Sequence, residues 1–407
     1  MKSSLLAIAL FLTGITFSTC NAQQSASNPN APSQSMQVGG DFENNAFTYY
    51  GMPRVLSAID TSAGFHENGQ KLLITGTVFR KDGKTPVPNV LIYYYHTTPS
   101  GRYIHRHTEP RSMEPNAQGQ THGYLRGWVQ SDHNGQYKIY TIRPGAYPTH
   151  DEPAHIHLTV KEPNGLSEYY LDDIVFDDDR LLTTAVRKKF KNRGGSGVVR
   201  LLVKDSIHVG ERDIILGLNI PDYPKDDSEE TSSGLSIGED QPSFIPYHAY
   251  GPDKGKNTCP VCKYGRYHGI ILFIGNHPKW DDIKRWLLFL EEESIQRAQY
   301  LKVYFVYGNS IQYSKENRQQ LLEALGKELH IQRTALTYVP SFSDTHTEAV
   351  LNRINPDVEN TFIIYKHRRI VDKYINLKPD KENFERISKA LEKTKGEYFY
   401  LSDVGNH

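Results

Sequence analysis

The stretch KLLITGTVFRKDGKTPVPNVLIYYYHT, residues 71–97, reads as two strands around a turn. LLITGTVFR alternates apolar and polar positions, KDGKTPVPN carries turn residues, and VLIYYYHT is dense in strand formers. Working outward, GYLRGWVQSD, QYKIYTI, AHIHLTV and VVRLLV repeat the pattern of short strands between Gly, Pro and Asn. One helix is expected before position 220, around Asp179–Lys189. An antiparallel all-β sandwich over residues 68–220 follows.

The 407-residue chain is too long for one ordinary core, and 38% hydrophobic with 23% charged residues is a globular composition. Lys+Arg and Asp+Glu balance to a net charge of +0, which argues against a nucleic-acid footprint. The 26 Tyr against 4 Met suit a polar β framework or phenolate metal ligands, and bulk composition leaves both open.

At the N-terminus, Met1-Lys2 precedes the apolar run LLAIALFLTGITF and the small residues up to Ala22. That is the pattern of a signal peptide over 1–22. The run is shorter than the ~20 residues of a transmembrane helix. Cleavage after Ala22 and lipid attachment at Cys20, within a degenerate Phe17-Ser18-Thr19-Cys20 lipobox, both fit. An exported protein is expected, periplasmic, secreted or lipid-anchored to a bacterial envelope membrane. Residues 23–67 read as a disordered spacer and N-terminal extension, with Gln, Ser, Asn and Pro concentrated in 23–40.

The acidic, breaker-rich interval 221–242 reads as a linker that tethers rather than welds. Beyond it, over 243–407, strands (GIILFIG, LKVYFVYG, TALTYV, then a hairpin in NTFIIYKHRRIVDKYINL) interleave with amphipathic helices. The β-α-β-α-β-α-β-β-α order is that of a thioredoxin-like α/β domain.

Within the sandwich, Gly101-Arg102-Tyr103 comes first, then Pro144-Gly145-x-Tyr147-Pro148, then Pro153-Ala154-His155-Ile156-His157. In this order the region from about 68 to 215 resembles the intradiol ring-cleavage dioxygenases, which share the prealbumin-like sandwich. The resemblance implies a non-haem Fe(III) cofactor held by Tyr103, Tyr147, His155 and His157. It makes Tyr147 the tyrosinate that leaves when substrate binds, and the catalytic base for the second hydroxyl. The implied partners are a small aromatic diol and O2. Elementary chemistry is compatible with this set. Alternate strand residues share a face, so His-x-His presents two imidazoles together. Phenolates are hard anionic ligands that suit a ferric ion.

His96, His105 and His107 lie near Tyr103 in sequence and read either as pocket-lining or as ordinary surface and supporting histidines, while Tyr93, Tyr94, Tyr95, Tyr137 and Tyr140 read as packing residues. One departure stands out. Where the family usually has Arg before Pro-Ala-His-Ile-His, this chain has Glu152, with Asp151 before it. A carboxylate there disfavours anionic catechols unless Arg102 or Arg143 compensates.

Cys259-Pro-Val-Cys262 precedes the first strand of the second domain rather than opening the helix after it. A structural disulfide, a non-standard redox pair and a metal half-site remain as readings. Two functions compete for the whole chain. One is an Fe(III)-dependent dioxygenase opening a catechol-type ring to a muconate-type diacid. The other is a non-catalytic iron- or ligand-binding sandwich with a thioredoxin-like interaction or redox module.

Overall fold

The strand Lys71–Phe79 is the spine of the first sheet, pairing with Gln136–Ile142 on one side and Ile207–Glu211 on the other. This computed structural model describes residues 45–148, 152–224, 232–311 and 313–404. The second sheet runs Arg126–Gln130, Leu91–His96, His155–Lys161, Ile174–Phe176, Val198–Val199. Between the two sheets lie Leu72, Ile74, Val78, Ile92, Tyr94, Ile139, Ile156, Leu158 and Val160, all essentially without exposure. Each such apolar side chain contributes roughly 1.5–3 kcal/mol by leaving water, which is what fixes the register.

The sandwich is as expected, but it is not purely antiparallel. Ile59–Thr61 runs parallel to Gln136–Ile142, Ile207–Glu211 parallel to Lys71–Phe79, and Ile174–Phe176 parallel to Val198–Val199. The helix expected over Asp179–Lys189 shrinks to Thr184–Arg187, capped by the Thr183 hydroxyl. None of its residues is buried, so no core contact extends it.

The extension is not wholly a spacer. Helix Asn45–Tyr49 and strand Ile59–Thr61 are built into the fold, and Thr48, Asp60 and Ser62 are buried. Residues 1–44, with the signal run, Cys20 and the 23–40 segment, lie outside the described residues. Among the described residues no helix is long and apolar enough to cross a membrane.

In the second lobe the sheet order is Tyr247–Tyr250, Ala335–Tyr338, Leu301–Tyr307, His268–Ile274, Thr361–Lys366, Arg369–Ile375. The two pairings from Ala335–Tyr338 to His268–Ile274 are parallel and the hairpin is antiparallel. Helices Trp280–Gln296, Lys315–Glu328 and Lys381–Lys395 supply Trp286, Leu287, Leu290, Leu322, Ile387 and Leu391 to one core. The short helix expected near Thr345–Arg353 is a 3-10 turn, Ala349–Asn352.

The described part of the linker, 232–242, is packed rather than loose: Ser233, Leu235, Glu239 and Gln241 are buried. Asp240 pairs with Arg187 at 3.1 Å, Arg369 with Asp213 at 3.1 Å, and Lys366 with Glu211 at 2.6 Å. Strand Ser402–Asp403 even joins the sandwich by pairing with Leu202–Lys204. The described residues form one compact unit, so this segment does more than tether.

Candidate metal centre

Ile156 points into the sandwich, so its neighbours His155 and His157 must point out of it, on the opposite face of their strand. That outer face carries Tyr93, Tyr95 and Trp128 from the adjacent strands. Helix Asn45–Tyr49 closes over it. The Trp128 indole donates to the Thr48 carbonyl at 2.6 Å and the buried Arg126 guanidinium to the Phe47 carbonyl at 2.6 Å.

Two loops bring the tyrosines in. Gly101 has φ +75°, and a Cβ there would lie 1.9 Å from the Ala146 carbonyl oxygen, so only glycine allows the loop before Tyr103 to touch the loop before Tyr147. The Thr98 carbonyl accepts from both Gly101 (2.9 Å) and Gly145 (3.0 Å), which stitches the two loops together.

All four expected ligands converge. The Tyr103 and Tyr147 hydroxyls are 2.8 Å apart, and the His155 and His157 Nε2 atoms 3.1 Å apart. Tyr147 Oη lies 3.2 Å from His155 Nε2 and 3.3 Å from His157 Nε2, while Tyr103 Oη is 3.1 Å from His157 Nε2. The imidazoles are buried and the phenols half-buried, so the histidines form the floor and the tyrosines the rim.

The tautomers follow from what lies behind each ring. His155 Nδ1 faces the Pro153 carbonyl at 2.7 Å, and His157 Nδ1 faces the Asp173 carboxylate at 3.0 Å and the Tyr170 hydroxyl. A carbonyl and a carboxylate can only accept, which assigns the proton to Nδ1 and a lone pair to Nε2 in both. Two lone pairs facing one another at 3.1 Å, with two phenol oxygens beside them, are a donor set able to hold a cation. Burial holds the Tyr103 phenol far above its ordinary range, with Tyr147 adding to the effect, so a nearby cation is what would release its proton. Burial also lowers His155, and His157 acts in the same direction against the raising effect of Asp173 and Glu152. Burial alone would raise Asp173, but facing His157 holds its carboxyl below the usual range. Two phenols and two imidazoles are a hard, nitrogen- and oxygen-only donor set, and the residues present fit a ferric ion.

Asp173, Tyr170 and Tyr95 carry parts of the site that sequence reasoning missed. His155 pairs with Val175 and Ile156 with Ile174, so one step further along places Asp173 opposite His157. Only the register carries that signal. Tyr95, read as packing, pairs with His157 and stacks on its ring at 4.4 Å, with His122 stacked on its other side at 3.7 Å. Tyr93 does pack, though its hydroxyl also meets His122 Nδ1 (2.7 Å) and Arg126 Nε (2.8 Å).

His96 is not pocket-lining. It points into the sandwich, with Nε2 2.7 Å from Thr141 Oγ1, and burial lowers its pKa to about 4. His105 and His107 meet each other instead, 3.0 Å apart. Arg143 is engaged by Asp178 at 2.7 Å, and Arg102 is exposed. Glu152 is exposed, and Asp151 lies outside the described residues.

In the second lobe Cys259 and Cys262 form a disulfide. Cys259 is the N-cap of the short helix Pro260–Tyr264, and its sulfur accepts from the Cys262 amide at 3.0 Å. The pair thus sits before strand His268–Ile274, where the sequence had put it.

The outer-face cluster of two imidazoles and two phenols on this sandwich is a candidate site for a metal ion. The family model described as Dioxygenase matches residues 53–204, a span holding all four of these side chains and ending before the second lobe. The protocatechuate 3,4-dioxygenase beta chain of Burkholderia cepacia is 34% identical over 100 residues, covering 23% of this chain and 39% of the relative. Catechol 1,2-dioxygenase of Acinetobacter baylyi is 31% identical over 126 residues, 27% of this chain and 38% of the relative. The chain thus spans about two-fifths of the length of the curated relatives it matches. Among solved structures, the dioxygenase domain of a carbohydrate-binding fusion protein from Streptomyces sp. SirexAA-E shares 18% identity at a TM-score of 0.31, covering 46% of this chain and 98% of that one. The matched region is therefore related to an oxidoreductase family.

Proposed function

We propose that the sandwich is an Fe(III)-dependent intradiol dioxygenase that opens a small catechol-type ring with O2, both oxygen atoms ending in a muconate-type diacid. The observation that carries this reading is the convergence of Tyr103 Oη, Tyr147 Oη and the two Nε2 atoms, with Tyr147 Oη and His157 Nε2 each within 2.8–3.3 Å of the other three. Tyr103, Tyr147, His155 and His157 would hold the ion. When bound, ferric iron withdraws electron density from a coordinated catecholate and activates the ring toward oxygen. Asp173 and the Pro153 carbonyl keep both imidazoles in the ligating tautomer. Tyr147, at the half-buried rim, is placed to take the proton of the second hydroxyl on its Oη. The buried floor keeps bulk water away from the imidazoles.

Burial lowers His155, and exposed Glu152 is a minor contribution in the opposite direction, so its charge reaches the site. We expect a preference for uncharged catechols over carboxylated ones, and Glu152→Arg should raise the activity ratio toward the latter. An unchanged ratio would mean that Glu152 does not face the substrate.

The sheet order, with a parallel core and an antiparallel hairpin, supports a thioredoxin-like reading of the second lobe, with Cys259–Cys262 as a structural disulfide. The N-terminal apolar run supports export, with Cys20 a site of lipid attachment if the lipobox is used. Oxygen uptake by ferric-reconstituted protein tests the activity. It should match catechol consumption one for one and vanish in His155→Ala; intact catechol would contradict the proposal.

A further inference from the structure

A second cluster of metal-ligating side chains lies in the loop after Tyr103 and takes no part in the site above. His105 Nε2 is 3.0 Å from His107 Nδ1 and 3.1 Å from the Glu114 carboxylate, which lies 3.7 Å from His107 Nδ1. Donor atoms held 2.0–2.2 Å from one ion at octahedral or tetrahedral angles are about 2.8–3.6 Å apart, so His105 meets both partners at ligand spacing and a small turn of the exposed Glu114 side chain closes the trio around a shared ion.

The cluster is also oriented from behind. His105 Nδ1 faces the Met113 carbonyl at 3.1 Å and the Ser112 hydroxyl at 2.8 Å, and Ser112 Oγ accepts from the Arg106 amide at 2.8 Å. The carbonyl can only accept, so the proton sits on Nδ1 and the Nε2 lone pair is presented to His107 and Glu114. The His105 side chain is only 12% exposed, while His107 and Glu114 are 84% and 59% exposed. One ligand is thus fixed in the fold and two reach from solvent.

We infer that His105, His107 and Glu114 form a second metal site, for a borderline divalent transition ion such as Zn²⁺ or Co²⁺. Two imidazoles with one carboxylate suit such ions and not Mg²⁺ or Ca²⁺, whose sites are built from oxygen. Three protein ligands leave a position open to water or a small anion. Because His105 is two residues from Tyr103, an ion here braces the loop that carries that phenol to the buried site.

The inference does not depend on the proposed activity, and equilibrium dialysis against Co²⁺ tests it. Iron-reconstituted protein and its His107→Ala variant are compared, the changed residue being exposed enough to leave folding intact. The wild type should bind about one equivalent of Co²⁺ more than the variant, whether or not the buried site has taken iron. Co²⁺ bound near His105 should also broaden the imidazole proton signals of His105 in the wild type alone. Equal Co²⁺ binding by the two proteins, or no binding beyond the buried site, would overturn the inference.

Discussion

The chain contains two His-x-His motifs in sandwich segments, and the fold treats them differently. His155-Ile156-His157 lies on a strand, so the spacing alone puts both rings on one face, over a buried floor with a carboxylate behind. His105-Arg106-His107 lies in a loop, where that rule does not apply, and its rings meet edge to face at 4.5 Å only because Ser112 and Met113 hold one of them. The same three-letter pattern gives a buried site closed by two phenols in one place and an open, half-solvated site in the other. What sets the chemistry is the backbone beneath the motif and the group behind each ring.

The largest expected effect follows from deleting a buried ring. His157→Ala removes one of two facing lone pairs and the ring N–H that Asp173 accepts, leaving that carboxylate only the Tyr170 hydroxyl. Ferric affinity, measured by chelator competition, should fall by more than the roughly 10–100-fold typical of an outer-shell change. A smaller loss would mean that the two motifs differ less than their burial indicates.

Asp173→Asn comes next. It keeps the shape but replaces the charged acceptor behind His157 with a neutral amide, so the ring is held less firmly and affinity should fall about 10–100-fold. Full retention of affinity would show that the charge of Asp173 does not act on the ring.

A third histidine sharpens the contrast. His96 faces the interior with both nitrogens held by Thr97 and Thr141, and burial keeps it neutral down to about pH 4. Between pH 6.5 and 4 the unfolded chain binds a proton there that the native chain does not, so stability rises with pH across that window and is lost as pH falls through it. One group contributes at most about 1.4 kcal/mol per pH unit. Denaturant titrations should show the His96→Gln variant with a slope against pH shallower by up to that amount; an unchanged slope would mean that His96 charges in the native state.

The convergence of Tyr103, Tyr147, His155 and His157 was legible because each sits in a short local motif whose order survives in sequence: GRY, PGAYP and PAHIH. The second-lobe elements were legible for the same reason, since amphipathic period and strand runs are local. Asp173 and Tyr95 were not legible, because their roles depend on strand register and ring stacking across the sheet. Ile59–Thr61 and Ser402–Asp403 are too short to stand out, and both take their strand character from partners far along the chain. Likewise 221–242 is mostly polar in composition, and its described part is packed because Arg187, Arg353 and Asn352 meet it and because Leu235 and Ile237 join a core formed by distant residues.

The visible absorption spectrum of purified, ferric-reconstituted protein tests the central claim most directly. A tyrosinate-to-Fe(III) charge-transfer band is expected, shifted or bleached by Tyr103→Phe and by catechol, and nearly unmoved by Tyr140→Phe, whose ring packs on Phe65. A protein that stays colourless after reconstitution, or a band that responds equally to both substitutions, would contradict the account.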